Sequence, residues 1–139
     1  AYANDTATSL TRGNLSTTYV GAGAGVSNGA EFGYIVGGGT PSPTTRIDRI
    51  EFANDTVQAT PKGNLTVSVS SVDIGTGTQY AGYIVGGYGD TPSGPEYAIS
   101  TIQKMDYAND TQTASPSGNL TARRYGNRVF SPFQNGLSS

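Results

Sequence analysis

The chain has no cysteine, no histidine, no tryptophan and a single methionine. Without cysteine there is no disulfide, no thiol nucleophile, no iron–sulfur cluster and no zinc–thiolate site. Without histidine the commonest general base and the commonest transition-metal ligand are missing. Charge is sparse as well. Charged residues make up 13% and the net charge is -2, with 8 basic residues, so no nucleic-acid partner is expected. No apolar run approaches the ~20 residues of a membrane span, and no signal-peptide pattern opens the sequence. What is abundant is glycine and proline, 20 and 7 in 139 residues, above the usual combined ~12%. Such a composition belongs either to a disordered chain or to short strands joined by turns. The order of the residues decides between them.

That order is repetitive. Ala-Asn-Asp-Thr occurs at 3–6, 53–56 and 108–111, and each copy is followed at the same offset by Gly-Asn-Leu, at 13–15, 63–65 and 118–120. Gly-Tyr-Ile-Val-Gly-Gly occurs at 33–38 and 82–87. The unit is about 50 residues long. The second interval is longer, and its extra residues lie at 88–97, a stretch rich in Gly, Pro, Ser and Asp that reads as a loop insertion. A disordered chain would not hold apolar residues in register over such distances.

Within each unit the pattern predicts short strands. Segments 32–36 and 80–85 are aromatic and β-branched, then stopped by Gly-Gly. Segment 46–52 alternates, but Ile47 to Ile50 is an odd step, which predicts a bulge or a strand start near Asp48. Ile102, Met105 and Tyr107 repeat those offsets. Asn-Asp-Thr reads as a turn. A short strand at 57–60 and 112–115 should follow, stopped by Pro61 and Pro116, and a fourth strand at 67–74, with 19–26 as its weaker counterpart. No segment has a 3.6-residue period, so helix should be near zero.

Four short strands per unit fit a β-propeller blade. Tyr34-Ile35-Val36-Gly37-Gly38 and Tyr83-Ile84-Val85-Gly86-Gly87, followed by an aromatic and an Asp in Phe52-Ala53-Asn54-Asp55 and Tyr107-Ala108-Asn109-Asp110, resemble the kelch repeat. The resemblance covers roughly residues 2–130. The Trp of the kelch outer strand is missing, and Val57 and Gln112 stand near its place. It implies an all-β fold of kelch-like blades with four short antiparallel strands each. Tyr34, Gly37, Gly38, Asp55, Tyr83, Gly86, Gly87 and Asp110 are then repeat-structural positions. The wording of the repeat also resembles kelch-type repeats in structural proteins of tailed bacteriophages, especially marine and cyanobacterial ones. That implies a place in a virion tail, nozzle or fibre.

The whole chain, 1–139, reads as one repeat domain: a partial blade 1–16, a blade 17–66, a blade 67–121 and a partial closing blade 122–139. That is about three blades, fewer than the ~4–8 of a closed propeller. The ring is therefore expected to need further chain or further subunits.

The remaining candidates are weighed against plainer readings. Asn4, Asn14, Asn54, Asn64, Asn109 and Asn119 head Asn-x-Ser/Thr patterns and are candidate N-glycosylation sites; turn chemistry copied with the repeat is the preferred account. Asp5, Asp55 and Asp110 lack the multi-carboxylate spacing of a Ca²⁺ loop, and Asp73 and Asp90 are isolated, so no metal is expected. Tyr2, Tyr34, Tyr83 and Tyr107 sit at repeat positions and are assigned to packing. Tyr88 and Tyr97 lie nearest loops and are the candidates for contact with a ligand or partner. Arg123 and Arg124, with Arg128, form the basic cluster, better suited to a solvated or inter-subunit role than to an acidic ligand. The glycine runs lack a Gly-Lys-Ser/Thr ending, so they are not phosphate loops. No cofactor motif and no catalytic constellation appear, and enzyme activity is not expected.

The sequence thus predicts a structural and interaction module, virion-borne or extracellular. Its expected partners are other copies of itself or other virion proteins, with cell-surface glycan as a further partner. The alternatives are a subunit of a secreted, glycosylated filament or adhesin, and a glycan-binding, lectin-like propeller.

Overall fold

The computed structural model describes residues 10–19, 23–39, 42–70, 75–91 and 94–124, without the side chains of 90, 91 and 94–96. Among these residues the fold is all-β, with no α-helix. The strands are β1 (Ala24–Ser27), β2 (Phe32–Val36), β3 (Thr44–Glu51), β4 (Thr60–Ser70), β5 (Gly75–Gly77), β6 (Ala81–Val85), β7 (Tyr88–Thr91), β8 (Gly94–Asp106) and β9 (Ser115–Arg124). All pair antiparallel. The hydrogen-bonded order is β1-β2-β3-β4-β7-β8-β6-β5, with β9 on β8. The sheet is nearly closed on itself, because its two ends lie against each other. A Cβ on Gly75 in β5 would fall 2.3 Å from the Gly25 carbonyl oxygen in β1.

The repeat is visible in the pairing. β1-β2-β3-β4 form one four-stranded meander and β5-β6-β8-β9 form a second. Equivalent residues hold equivalent registers: Tyr34 pairs with Arg49 and Val36 with Ile47, as Tyr83 pairs with Lys104 and Val85 with Ile102. The Gly-Gly stops work as expected. Gly37 and Gly38 take φ of 72° and 96°, and Gly86 and Gly87 take 66° and 113°, values that a side chain would strain. Gly38 N–H reaches the Val69 carbonyl at the end of β4, and Gly87 N–H reaches the Arg124 carbonyl at the end of β9, both at 2.9 Å.

The odd step in β3 has a physical cause. Ile47 and Asp48 are adjacent, point to opposite faces, and are both 0% exposed. The first meander is covered on both sides. Its Ile47 face meets the second meander, in a core that holds Tyr34, Val36, Val69, Ile84 and Met105. Its Asp48 face meets the segment around Ser16. The β3–β4 ladder is irregular on both sides of Arg46, as the pattern predicted.

Three expectations are corrected. The strand foreseen at 57–60 does not form. Phe52–Asn54 is a 3-10 turn, and β4 begins at Thr60 and runs through Pro61, so proline does not end a strand here. Pro61 sits opposite Asp48 beside the ladder irregularity, where a missing N–H is tolerated. The second unit behaves alike, with a 3-10 turn at Tyr107–Asn109 and Pro116 inside β9. The stretch after Gly87, read as a loop, folds into the β7–β8 hairpin, and β7 also pairs with β4. The strand expected at 19–26 is β1, shifted toward the C-terminus.

Replacing Ile47 by Ala should cost about 2–5 kcal/mol, the range for emptying a core site, whereas Val57→Ala, at a side chain 50% exposed, should change stability by less than about 0.5 kcal/mol. Urea unfolding of the two variants checks the contrast.

Candidate functional site

The feature that recurs at every described unit boundary is a seam in which the Gly-Asn-Leu segment of one unit meets the Asn-Asp-Thr turn of the next. Gly13 N–H donates to the Asp55 carbonyl at 2.7 Å, and Gly63 N–H donates to the Asp110 carbonyl at 2.7 Å. In return, Ala59 N–H donates to the Asn14 carbonyl at 2.8 Å, and Ala114 N–H to the Asn64 carbonyl at 2.7 Å. The same backbone atoms make the same bonds twice, about one repeat apart.

This explains the glycine of Gly-Asn-Leu, where the sequence reading assigned turn chemistry only to the asparagine beside it. A Cβ on Gly13 would lie 1.7 Å from the Val57 carbonyl oxygen, and one on Gly63 would lie 1.9 Å from that of Gln112. Two backbones approach so closely that no side chain fits. The available signal was the constancy of glycine at one offset in three copies.

Polar side chains extend the seam. Asp48 accepts from Ser16 N–H at 2.9 Å and from the Ser16 hydroxyl, and Arg46 Nε approaches it at 3.3 Å. Gln103, one repeat later, accepts from Val67 N–H at 2.9 Å and donates to the Val67 carbonyl at 3.1 Å. Both are 0% exposed. Each satisfies backbone groups of the preceding unit, Ser16 N–H for Asp48 and both main-chain groups of Val67 for Gln103. Gln103 and Asp48 were not singled out from the sequence, since their partners are distant in the chain and leave no local pattern.

Asp110 is the electrostatic centre. Its carboxylate, 8% exposed, is held by Arg49 Nη1 at 2.9 Å and Lys62 Nζ at 3.4 Å, and Tyr34 Oη donates to it at 3.1 Å. Arg49 also lies 4.3 Å above the Phe32 ring, and Tyr34 stacks on Tyr107 with centroids 5.2 Å apart. Three charges leave water together, so the pairing must be good to offset desolvation. At the earlier seam Asp55 faces Arg12 at 3.4 Å; Arg12 and Lys62 occupy the same offset. Tyr34 and Asp110 thus meet at one seam and Asp55 lies at the earlier one, while Tyr83 stands on the opposite face of the second meander.

The other candidates are scattered. Tyr97 in β8 is 53% exposed. It stands opposite Gly89 across the hairpin, with Tyr88 opposite Ala98. Arg123 and Arg124 are exposed at the end of β9, where Arg124 pairs with Ile99 beside the base of the hairpin. Asn14, Asn54, Asn64, Asn109 and Asn119 are all exposed. Asn4, Asp5, Tyr2, Asp73 and everything from Tyr125 onward lie outside the described residues. Among the described residues no cluster of three or more carboxylates offers a metal site, and no helix is long and apolar enough to cross a membrane.

Three tyrosines hold their protons above the ordinary range. Burial pushes Tyr107 up to about 12. Burial, then the Asp48 charge, pushes Tyr19 up to about 12. Burial and the Asp110 carboxylate push Tyr34 higher still. No protein-family model matches the chain, and no curated protein sequence matches it.

Two outcomes follow from the seam. Gly63→Ala should destabilise by at least the ~1–3 kcal/mol of an overpacked site, while Gly25→Ala, where a Cβ meets nothing within 4 Å, should be nearly silent in thermal melts. The tyrosines set an alkaline limit. Their folded pKa values lie above the unfolded value of 10.0, so their contribution is complete below pH 10 and is lost as pH rises toward 12. The part of the tyrosinate absorbance that comes from Tyr19, Tyr34 and Tyr107 should therefore lag until the circular dichroism signal collapses within that window.

Proposed function

We propose that the chain is a structural and interaction module, a run of kelch-like propeller blades working in a virion tail, nozzle or fibre and carrying no catalytic role. The observation that supports the module reading is the seam made twice by the same atoms, which joins unit to unit by backbone geometry. In blade terms, β1–β4 are one blade and β5, β6, β8 and β9 the next, with β1 and β5 as inner strands. Residues 13–16 then belong to the outer strand of a preceding blade. Counted this way the described residues supply two blades and part of another, and a propeller of ~4–8 needs more from further chain or further copies. The virion setting rests on the resemblance in repeat wording. Redox-independent composition suits it, because a chain without cysteine or histidine does not change state between compartments.

A second reading is favoured by the exposure of the sequon asparagines, which an oligosaccharyltransferase would need: a secreted, glycosylated filament or adhesin. A third, the lectin-like propeller, is favoured by the open ring of Tyr97, a stacking surface for sugar.

Antibody against the chain should label tails of purified virus particles under the electron microscope, and the intact mass of the native chain should equal that of the bare sequence. Sugar mass at Asn54 or Asn109 replaces this reading with the secreted filament. Saturable binding on a glycan array, lost in Tyr88→Ala or Tyr97→Ala, replaces it with the lectin.

A further inference from the structure

We propose that Asn28 and Gly29, at the tip of the β1–β2 hairpin, are a self-modification site, where the Asn28 amide cyclises onto the main chain and is then hydrolysed to an acid. An asparagine before glycine is open to this reaction, because glycine has no Cβ to shield its amide nitrogen from the side chain before it. Among the described residues Asn28 is the asparagine so placed. Asn14, Asn64 and Asn119 precede leucine, and Asn54 and Asn109 precede aspartate. Gly29 is exposed, with φ of 89°, so water reaches the site.

The turn assembles the parts of the reaction around the reacting atoms. Gly29 N–H, the nucleophile, donates to the Ser27 hydroxyl at 2.9 Å, which gives its proton a way out to solvent. Asn28 Oδ1 sits between two main-chain donors, Glu31 N–H at 3.0 Å and Phe32 N–H at 2.9 Å. Attack at Cγ puts negative charge on that oxygen, and N–H groups already fixed by the fold stabilise such charge. Asn28 Nδ2, the leaving nitrogen, faces the Glu31 carboxylate at 3.4 Å. That charge favours the nitrogen as it takes up a proton to leave. In the β5–β6 turn Thr78 does the same capping, its hydroxyl accepting from Tyr80 N–H at 3.1 Å and Ala81 N–H at 3.2 Å. Capping therefore needs no asparagine, and threonine has no carboxamide to cyclise.

The bonds balance without a redox partner. The bond from Gly29 N to Asn28 Cγ forms as the Gly29 proton leaves. The Cγ–Nδ2 bond breaks and ammonia departs. Water then opens the five-membered imide. Opening at Cγ leaves an aspartate, and opening at the main-chain carbonyl leaves an isoaspartate, with an extra methylene in the backbone. Either product sets a new carboxylate beside Glu31, and the isoaspartate also spoils the closure from Asn28 N–H to the Phe32 carbonyl at 3.2 Å. The same hairpin arm carries Val26, 7% exposed in the core, and the Ser27 carbonyl, which accepts from the Tyr107 hydroxyl at 3.1 Å. The modification thus acts on a strand through which the first meander meets the second.

The full chain, held at mildly alkaline pH, then digested and read by tandem mass spectrometry, should show an acid at position 28 in both isomeric forms. Asn14, Asn54, Asn64, Asn109 and Asn119 should still be amides. The folded chain should convert faster than the same chain in urea, where the sequence remains but the turn is gone. Glu31→Gln should slow conversion several-fold, and Asn28→Thr should abolish it with the melting temperature retained. An amide at 28 after the incubation overturns the proposal, as does conversion of the other asparagines at the same rate. Conversion in urea as fast as in the folded chain, or a Glu31→Gln chain that converts at the wild-type rate, also overturns it, while leaving the module reading standing.

Discussion

The structure depends on one constraint: β4 cannot satisfy its own backbone within its meander. On one side β4 has its meander neighbour β3, but the irregular ladder leaves groups unpaired, and the following unit supplies the missing partners. Gly63 N–H, the Asn64 carbonyl and both main-chain groups of Val67 are bonded by Asp110, Ala114 and Gln103 of the second meander. Thr66 adds its hydroxyl to the Ala114 carbonyl. An unpaired buried amide costs about 1–3 kcal/mol, so leaving this seam open would consume much of the marginal stability of a small domain. Unit-to-unit order is thus enforced by hydrogen-bond bookkeeping before hydrophobic burial is counted.

The apolar core sits on that frame. Tyr34, Val36 and Ile47 of one meander meet Ile84, Gln103 and Met105 of the other, and the Asp110 cluster closes the layer at its rim. Burial of three charged groups is stabilising only while all are present. The cluster therefore acts as a specificity lock on the register between units, because a slip of one residue would strand Asp110 away from Arg49 and Lys62. The stacked Tyr34 and Tyr107 rings and the Tyr107 hydroxyl on the Ser27 carbonyl hold the same register from the apolar side.

Local features were legible in the sequence. The aromatic and β-branched runs became β2 and β6, the Gly-Gly pairs became positive-φ stops, and the absence of a helical period meant no α-helix among the described residues. Those signals are written in neighbouring residues. What stayed hidden depends on contacts far along the chain. Nothing near Asp48 or Gln103 announces that each will be buried against a preceding strand. The glycine of Gly-Asn-Leu carried no legible role, because turns and close backbone approach both select glycine. Pro61 looked like a stop because the ladder irregularity that accommodates it is a tertiary feature. The β7–β8 hairpin was masked by loop-like composition, and its strand character comes from pairing with β4.

The seam also sets the order in which the chain can mature. Thr66 and Ala114 are 48 positions apart, and Tyr34 and Asp110 are 76 apart. Such separations belong to slow, high-contact-order folding. On a ribosome adding ~5–20 residues per second, the outer strand of a unit waits on the order of seconds for the turn that completes it. Each unit therefore finishes folding one step behind synthesis, when its successor emerges, and the nascent chain carries a single unfinished edge forward rather than several at once.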